Sequence, residues 1–179
     1  MALAAVAAPL AAFAATKEEK RADVRQVVKN TLERLFKEQP GAKAAIERSA
    51  GYAVFSNFGM KIFFAGGGTG AGMAVDNKSK AETFMKMVEV QAGLGIGVKK
   101  FRLVWVFETT GKLNDFIRHG WEIGGQATAS AQMSGKGAEI YAGALSIAPG
   151  VWLYQLSDEG LALELTAKGT KYYRDTELN

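Results

Sequence analysis

The most regular hydrophobic pattern in the chain is an amphipathic repeat in its first quarter. Apolar side chains recur at intervals of three and four residues, while lysine, arginine and glutamate fill most other positions. The repeat consists of Val24, Val28, Leu32, Leu35 and Phe36. Pro40-Gly41 ends it, because proline disfavours a helical conformation in the residue before it. The pattern predicts a long helix from Lys17 to Glu38 and a short one from Ala42 to Arg48.

From Gly51 onward, aromatic and β-branched residues are typical of strands. The sharpest alternation is at residues 101–107, where odd-numbered side chains share one face and even-numbered side chains the other. The predicted strands are Tyr52–Phe58, Met60–Ala65, Phe101–Phe107, Trp121–Gln132, Val151–Leu156 and Leu161–Thr166. Turns are predicted at Asp76–Ser79 and Ser157–Gly160.

A short helix is predicted from Lys112 to His119, introduced by Thr110 and closed by Gly120. Because helices come first and strands follow, the expected class is α+β. We expect N-terminal amphipathic helices packed on a strongly bent, mainly antiparallel, glycine-rich or barrel-like sheet.

Glycine recurs at every second residue in two segments. These ladders are Gly66, Gly68, Gly70 and Gly72, and then Gly93, Gly95 and Gly97; Gly125, Ala127, Ala129 and Ala131 repeat the spacing with methyl groups. Residues two apart in a strand share a face, so each ladder predicts a face without side chains. Such a face favours close packing of the protein on itself, or a shallow apolar floor for an acyl chain, and the two interpretations are compatible.

The glycine-rich runs do not fit a nucleotide site. The dinucleotide fingerprint requires an acidic residue about 20 positions after its first glycine, and Lys86 stands there. A phosphate-binding loop ends in Gly-Lys-Ser/Thr, whereas Met73-Ala74 follows Gly72. We therefore expect no nucleotide ligand.

Composition and charge exclude further classes of function. The 179 residues are 48% hydrophobic and 22% charged, as expected of a single packed domain. There is no cysteine and one histidine, His119, so neither residue type supplies a metal cluster, and no G-x-S-x-G nucleophile motif is present. The net charge of +4 suits an anionic surface but is too small for a nucleic-acid arm. We expect no catalytic residue, metal or cofactor.

The first fourteen residues, Met1 to Ala14, are almost all alanine, leucine, valine and phenylalanine. This run is too short to span a bilayer, but it resembles the apolar part of a secretory signal ending in Ala12-Phe13-Ala14. The alternative is an apolar N-terminal helix packed on the domain. We expect a signal remnant at 1–14, one domain at 15–179, and a periplasmic or secreted, peripherally membrane-associated protein.

Several basic residues lie next to aromatic and apolar residues, a combination that suits a lipid headgroup interface. The alternative is that they are ordinary solubilising charges at strand ends. The candidates are Lys61, Lys99, Lys100 and Arg102 in the body of the chain, with Lys168, Lys171 and Arg174 around Tyr172-Tyr173.

Seven successive blocks resemble those of the SYLF domain family, from about Leu32 to Tyr173. They are Ala50–Phe55, Gly66–Gly72, Ala92–Gly97, Leu113–Phe116, Ile123–Ala127, Tyr154–Leu165 and Lys171–Tyr173. The resemblance implies a phospholipid-binding module; eukaryotic relatives are linked to phosphoinositide membranes, fungal ones also to actin, and bacterial ones are typically exported envelope proteins. It also implies lipid contact by the basic helix at the domain's start, here through Lys20, Arg21, Arg25 and Lys29.

The same helix carries Glu18, Glu19 and Glu33, which argue against a strong phosphoinositide preference. The export-like N-terminus argues against actin as a partner. The sequence thus predicts a non-catalytic module that binds phospholipid or an anionic membrane surface in a bacterial cell envelope. A structural or self-associating envelope protein without a ligand is the alternative, and a homo-oligomer fits either.

Overall fold

The long N-terminal helix begins with a reciprocal cap. The computed structural model describes residues 15–57, 69–89, 101–122, 139–162 and 170–179. Helix α1 runs from Lys17 to Glu38; the Thr16 hydroxyl accepts a hydrogen bond from the Glu19 amide at 3.2 Å, and the Glu19 carboxylate accepts one from the Thr16 amide at 2.7 Å. This arrangement satisfies two amides that the first helical turn leaves unpaired. Helix α2 follows at Gly41–Arg48.

The strands form one strongly curled antiparallel sheet, a half-barrel. Their bounds are β1 Gly51–Ser56, β2 Thr69–Asp76, β3 Glu82–Glu89, β4 Arg102–Phe107, β5 Trp121–Glu122, β6 Leu145–Ala148, β7 Val151–Ser157, β8 Gly160–Ala162 and β9 Thr170–Arg174. The order across the sheet is β5-β9-β3-β2-β1-β4-β7-β6, and β8 also pairs with β7. Helix α3, Thr110–His119, lies between β4 and β5 along the chain. The expected α+β class is therefore confirmed.

Both faces of the sheet are buried, each against different helices. On one face, Val54, Val104 and Tyr154 are fully buried in a core shared with α1 and α2. On the other face, Phe55 and Trp105 join Phe116 of α3 in a second core rich in aromatic rings. This division explains why β4 is apolar at consecutive positions: its odd and even residues enter separate cores.

Most local predictions within the described residues are confirmed. Helix α1 has the predicted bounds, α2 begins one residue earlier, and the two faces of β4 are as expected. The hairpin at 157–160 is present, with Ser157 paired to Gly160. The predicted strand Met60–Ala65 and the chain from 123 to 132 lie outside the described residues, as do Met1 to Ala14.

Helix α3 starts two residues before the predicted Lys112, and its cap lies one residue before the predicted Thr110. Thr109, in an extended conformation, is the N-terminal cap, and its hydroxyl accepts a hydrogen bond from the Lys112 amide at 3.3 Å. Thr110 is the first residue of the helix itself. Two adjacent threonines offer the same chemistry, and the backbone conformation at the end of β4 decides between them.

Two ladder glycines, Gly70 and Gly72, lie in β2, and neighbouring side chains occupy the space above them. A Cβ on Gly72 would meet the Val54 carbonyl oxygen and lie 2.7 Å from Cγ of Phe55; a Cβ on Gly70 would lie 2.6 Å from the Ser56 carbonyl oxygen and against Met87. Both distances are shorter than real Cβ contacts. At these two positions the bare face serves close packing of the protein on itself. The other ladder glycines lie outside the described residues.

A C-terminal turn fastens the start of α1 to β3. The Asn179 side chain accepts from the Phe84 amide at 3.0 Å and donates to its carbonyl at 2.7 Å. Lys17 Nζ donates to the Asn179 carbonyl at 2.7 Å. Beneath the turn, Lys86 Nζ lies 3.3 Å from the buried Asp175 carboxylate.

The Lys86 ion pair predicts an alkaline loss of stability. Burial alone lowers the pKa of Lys86, but the hydrogen bond and charge of Asp175, together with Glu177, outweigh burial and leave the pKa above its ordinary 10.5. A raised folded-state pKa stabilises the fold fully below the unfolded pKa, and this contribution disappears as pH rises through the folded pKa.

We therefore expect the difference in unfolding free energy between wild type and Lys86→Met to be constant up to about pH 10 and to shrink above it. Urea titrations across that pH range measure it. Lys43→Met, at an exposed position of α2, is the control and is expected to show no such change. A constant Lys86 difference through the alkaline range would contradict this account.

Candidate functional site

An open groove runs between α1 and the first three strands of the sheet. Its volume is about 340 Å³. The lining comprises Arg25, Val28, Lys29, Leu32, Glu33 and Phe36 of α1, with Tyr52, Met73 and Glu82 of the sheet. The groove lies on the sheet face that α1 covers, at the side toward β3.

The groove exists because α1 covers the sheet incompletely at this point. Val28 and Met73 are almost fully buried and form its depth. Leu32 and Phe36 pack against the same core but are only partly buried. Tyr52 is also partly buried on the opposite wall. Five apolar or aromatic side chains from two parts of the chain thus leave hydrocarbon surface open to a ligand.

Charged side chains stand around this apolar floor in opposite-sign pairs. Arg25 Nε donates to the Glu82 carboxylate at 2.8 Å, and the Arg25 guanidinium lies 5.2 Å from the centre of the Phe84 ring. Lys29 Nζ is 3.9 Å from the Glu33 carboxylate, and these side chains are 68% and 64% exposed. Arg25 is thus held by two partners, the Glu82 carboxylate and the Phe84 ring. The Lys29–Glu33 pair is loose and open to solvent.

The Tyr52 hydroxyl remains protonated over the physiological range. Burial raises its pKa, and the negative charge of Glu82 raises it further. A neutral phenol in a partly apolar wall can donate or accept one hydrogen bond without bringing charge into the groove. The chemistry of the lining residues is therefore that of binding, with hydrocarbon contact below and ionic contact at the rim.

The structure brings two of the predicted lipid-contacting residues, Arg25 and Lys29, into this groove. Arg21 lies outside its lining and ties α1 to the C-terminal turn: Nε donates to the Leu178 carbonyl at 2.6 Å, and a second nitrogen contacts Glu18 at 2.6 Å. Lys20 is half-buried on the same helix. Lys61, Lys99 and Lys100 lie outside the described residues.

Arg102 lies outside the groove lining. It begins β4 and pairs in register with Ser56 and Leu156. Burial lowers the pKa of Arg102, the nearby Arg34 lowers it further, and Asp158 acts in the opposite direction. Arg34 itself donates to the carbonyls of Ser157 and Asp158 at 2.9 Å each. This end of the sheet is a separate basic cluster, so the predicted cations do not form one continuous surface among the described residues.

Sequence reasoning missed the remaining groove residues for identifiable reasons. Leu32 and Phe36 belong to the amphipathic repeat and were expected only to contact the core. Tyr52 and Met73 are ordinary strand residues in sequence. Glu82 pairs with Arg25 although the two are 57 positions apart in the sequence, so no local pattern predicts the pair. For Glu33, the sequence predicts only an acid within a basic helix.

The described part of the chain contains neither a candidate metal cluster nor a helix suited to cross a membrane. No group of three histidine, cysteine, aspartate or glutamate residues there could hold a metal ion. None of the helices in those ranges has the length and hydropathy required to cross a membrane.

Comparison with known proteins finds a matching family model and a similar curated protein. The sequence model of the family Ysc84, described as Las17-binding protein actin regulator, matches residues 88–179. A curated protein of Aeromonas veronii, Beta cell expansion factor A, is 32% identical over 168 residues. That alignment covers 91% of this chain but 60% of the relative, so the chain spans less than two thirds of its length. The groove residues precede the segment that matches the family model.

Proposed function

Because this chain belongs to the SYLF family, represented by the Ysc84 match, we propose that it binds phospholipid and catalyses no reaction. The family is one of non-enzymatic modules of lipid- and actin-binding type. Binding of phospholipid, in particular in a bacterial cell envelope, is the step that goes beyond family membership. The open groove beside α1 is the observation that carries it.

The groove has the apolar surface that an acyl chain requires. Its volume of about 340 Å³ is near the lower end of ligand-binding pockets. Leu32, Phe36 and Tyr52 offer partly exposed hydrocarbon, and covering it stabilises a complex by roughly 25 cal/mol per Å² of apolar area removed from water. An acyl chain can cover this hydrocarbon surface, and it needs no hydrogen-bonding partner to do so.

The rim supplies the positive charge that a phosphodiester requires. Lys29 is exposed and only loosely paired, so its ammonium group can turn toward a phosphate oxygen. Arg25 stands one helical turn earlier on the same lining. The apolar floor and the two rim cations together fit an amphiphile lying along α1.

We propose a periplasmic or secreted location with peripheral membrane association. The apolar N-terminal run resembling a secretory signal supports it, and so does similarity to a bacterial protein. A reporter protein fused after residue 14 is the test. If the reporter stayed in the cytoplasm, this location would be contradicted.

The groove can be tested with single substitutions of α1. We expect Leu32→Glu to weaken binding to phospholipid vesicles at least tenfold, because a carboxylate would enter the hydrocarbon surface. Lys29→Gln should weaken it roughly threefold, as expected for an exposed ionic contact. Vesicle co-sedimentation of the full chain measures both.

Lys37→Gln is the matched control, since Lys37 is an exposed lysine of the same helix outside the groove lining. Circular dichroism establishes that each variant is folded. Unchanged binding by a folded Leu32→Glu variant would exclude the groove as the site, and wild type remaining in the supernatant with every lipid would exclude the function.

A structural or self-associating role without a ligand is the second candidate. At Gly70 and Gly72 the glycine ladder packs against β1 and β3 of the same chain rather than lying open as a floor for an acyl chain, which favours a structural role of the ladder. Native mass spectrometry of gently purified protein separates the two: retained lipid supports the first function, and lipid-free oligomers support the second.

A further inference from the structure

The charges around the groove balance, and this limits the headgroup it suits. Two cations, Arg25 and Lys29, and two carboxylates, Glu33 and Glu82, belong to the same lining. A headgroup with negative charge alone would meet both attraction and repulsion there. A purely cationic amphiphile would meet the same conflict with the signs reversed.

We propose that the groove selects a zwitterionic phospholipid whose headgroup carries a primary ammonium, as in phosphatidylethanolamine. The proposal rests on the function proposed above and specifies its ligand. The phosphate is bound by Lys29, and the ammonium by the carboxylates of Glu33 and Glu82. Both charges of the ligand then find a partner of opposite sign.

The two resident ion pairs have different roles in this recognition. The Lys29–Glu33 contact is long and highly exposed, so separating it costs little and frees one cation and one carboxylate. The Arg25–Glu82 pair is short, and Arg25 also lies over the Phe84 ring, which fixes its direction. The Arg25–Glu82 pair is therefore fixed, and the Lys29–Glu33 pair, one turn along the helix, can exchange partners. A ligand that carries both signs of charge can replace the partners of Lys29 and Glu33.

The carboxylates favour a primary ammonium over a quaternary one. A carboxylate accepts hydrogen bonds, and a primary ammonium has three N–H donors, whereas a trimethylated nitrogen has none. The aromatic rings of Phe36 and Tyr52 line the groove and would attract either cation. The hydrogen bonds to Glu33 and Glu82 therefore provide the discrimination.

The test uses the full chain and vesicles with identical acyl chains. Phosphatidylcholine vesicles are compared with vesicles in which an equal fraction is replaced by phosphatidylethanolamine or by phosphatidylglycerol. We expect the strongest co-sedimentation with phosphatidylethanolamine, roughly threefold above either other lipid, the range of an exposed charged contact. Glu33→Gln should reduce this preference, because only Glu82, which Arg25 already holds, then remains to accept hydrogen bonds from the ammonium.

Glu47→Gln is the matched control, at an exposed glutamate of α2 outside the groove, and it should keep the preference. Equal or stronger binding to phosphatidylglycerol, or a preference of unchanged size in Glu33→Gln, would overturn the headgroup inference while leaving phospholipid binding intact. Failure to bind all three vesicles would overturn the proposed function as well. So would a dimer in lipid-free solution that Leu32→Glu dissociates, because the groove would then be a surface between two copies.

Discussion

Replacing Gly72 with alanine is expected to destabilise the protein by about 3 kcal/mol or more, at the upper end of overpacking effects. The added methyl group would collide with the Val54 carbonyl oxygen and the Phe55 ring. The carbonyl belongs to β1, which pairs with β2 on one side and β4 on the other, so it cannot withdraw without disturbing two ladders. The ring is held by Tyr172, 4.8 Å away between centroids.

Urea denaturation of wild type and variant measures this effect. Gly41→Ala is the matched control, because the nearest atom to its added Cβ would be Nε2 of Gln39 at 3.8 Å. We expect Gly41→Ala to be neutral or stabilising by up to about 1 kcal/mol. If both variants lost the same stability, steric contact above Gly72 would not be the cause.

Phe116→Ala is expected to cost about 3–5 kcal/mol of unfolding free energy. Phe116 is the ring by which α3 enters the aromatic core. Its centroid lies 5.0 Å from that of Phe107, 5.4 Å from Trp105 and 5.8 Å from Tyr172. Truncation would remove these contacts and leave a cavity beneath the helix.

Thermal and urea unfolding measure the loss, with Ile117→Ala as control because Ile117 is only partly buried on the same helix. The Phe116 site lies on the sheet face opposite the groove. We therefore expect the variant to bind vesicles like wild type wherever it remains folded. A loss of vesicle binding by folded Phe116→Ala would show that the two faces are coupled.

The predictions that succeeded rest on local periodicity. Helix α1 could be located because its apolar repeat and Pro40 agree, and the structure adds the Thr16–Glu19 cap at its start. Strand β4 could be located because its alternation is sharp. Strand β6 has four residues and β9 mixes lysine, arginine and tyrosine, so neither has a local pattern that exceeds its surroundings. Their place in the sheet is fixed by pairing with distant strands.

The candidate site was predictable only in part, because local patterns identify residues of one helix but not the strand residues that pack opposite it. Arg25 and Lys29 could be proposed from one helix, because the family resemblance indicates that helix. Tyr52, Met73 and Glu82 join them only after the sheet has formed and α1 has packed across it. A groove between elements depends on what the packing leaves uncovered, and no single segment encodes that.

The two walls of the groove come from segments that meet only in the native state. The unfolded chain has no equivalent of it, so a ligand bound there draws on the folded population alone. At a free ligand concentration one hundred times its dissociation constant, such binding adds about 2.7 kcal/mol to the stability of the fold. Lipid would then act as a reversible cross-link between α1 and the sheet, and the melting temperature would rise with lipid supply.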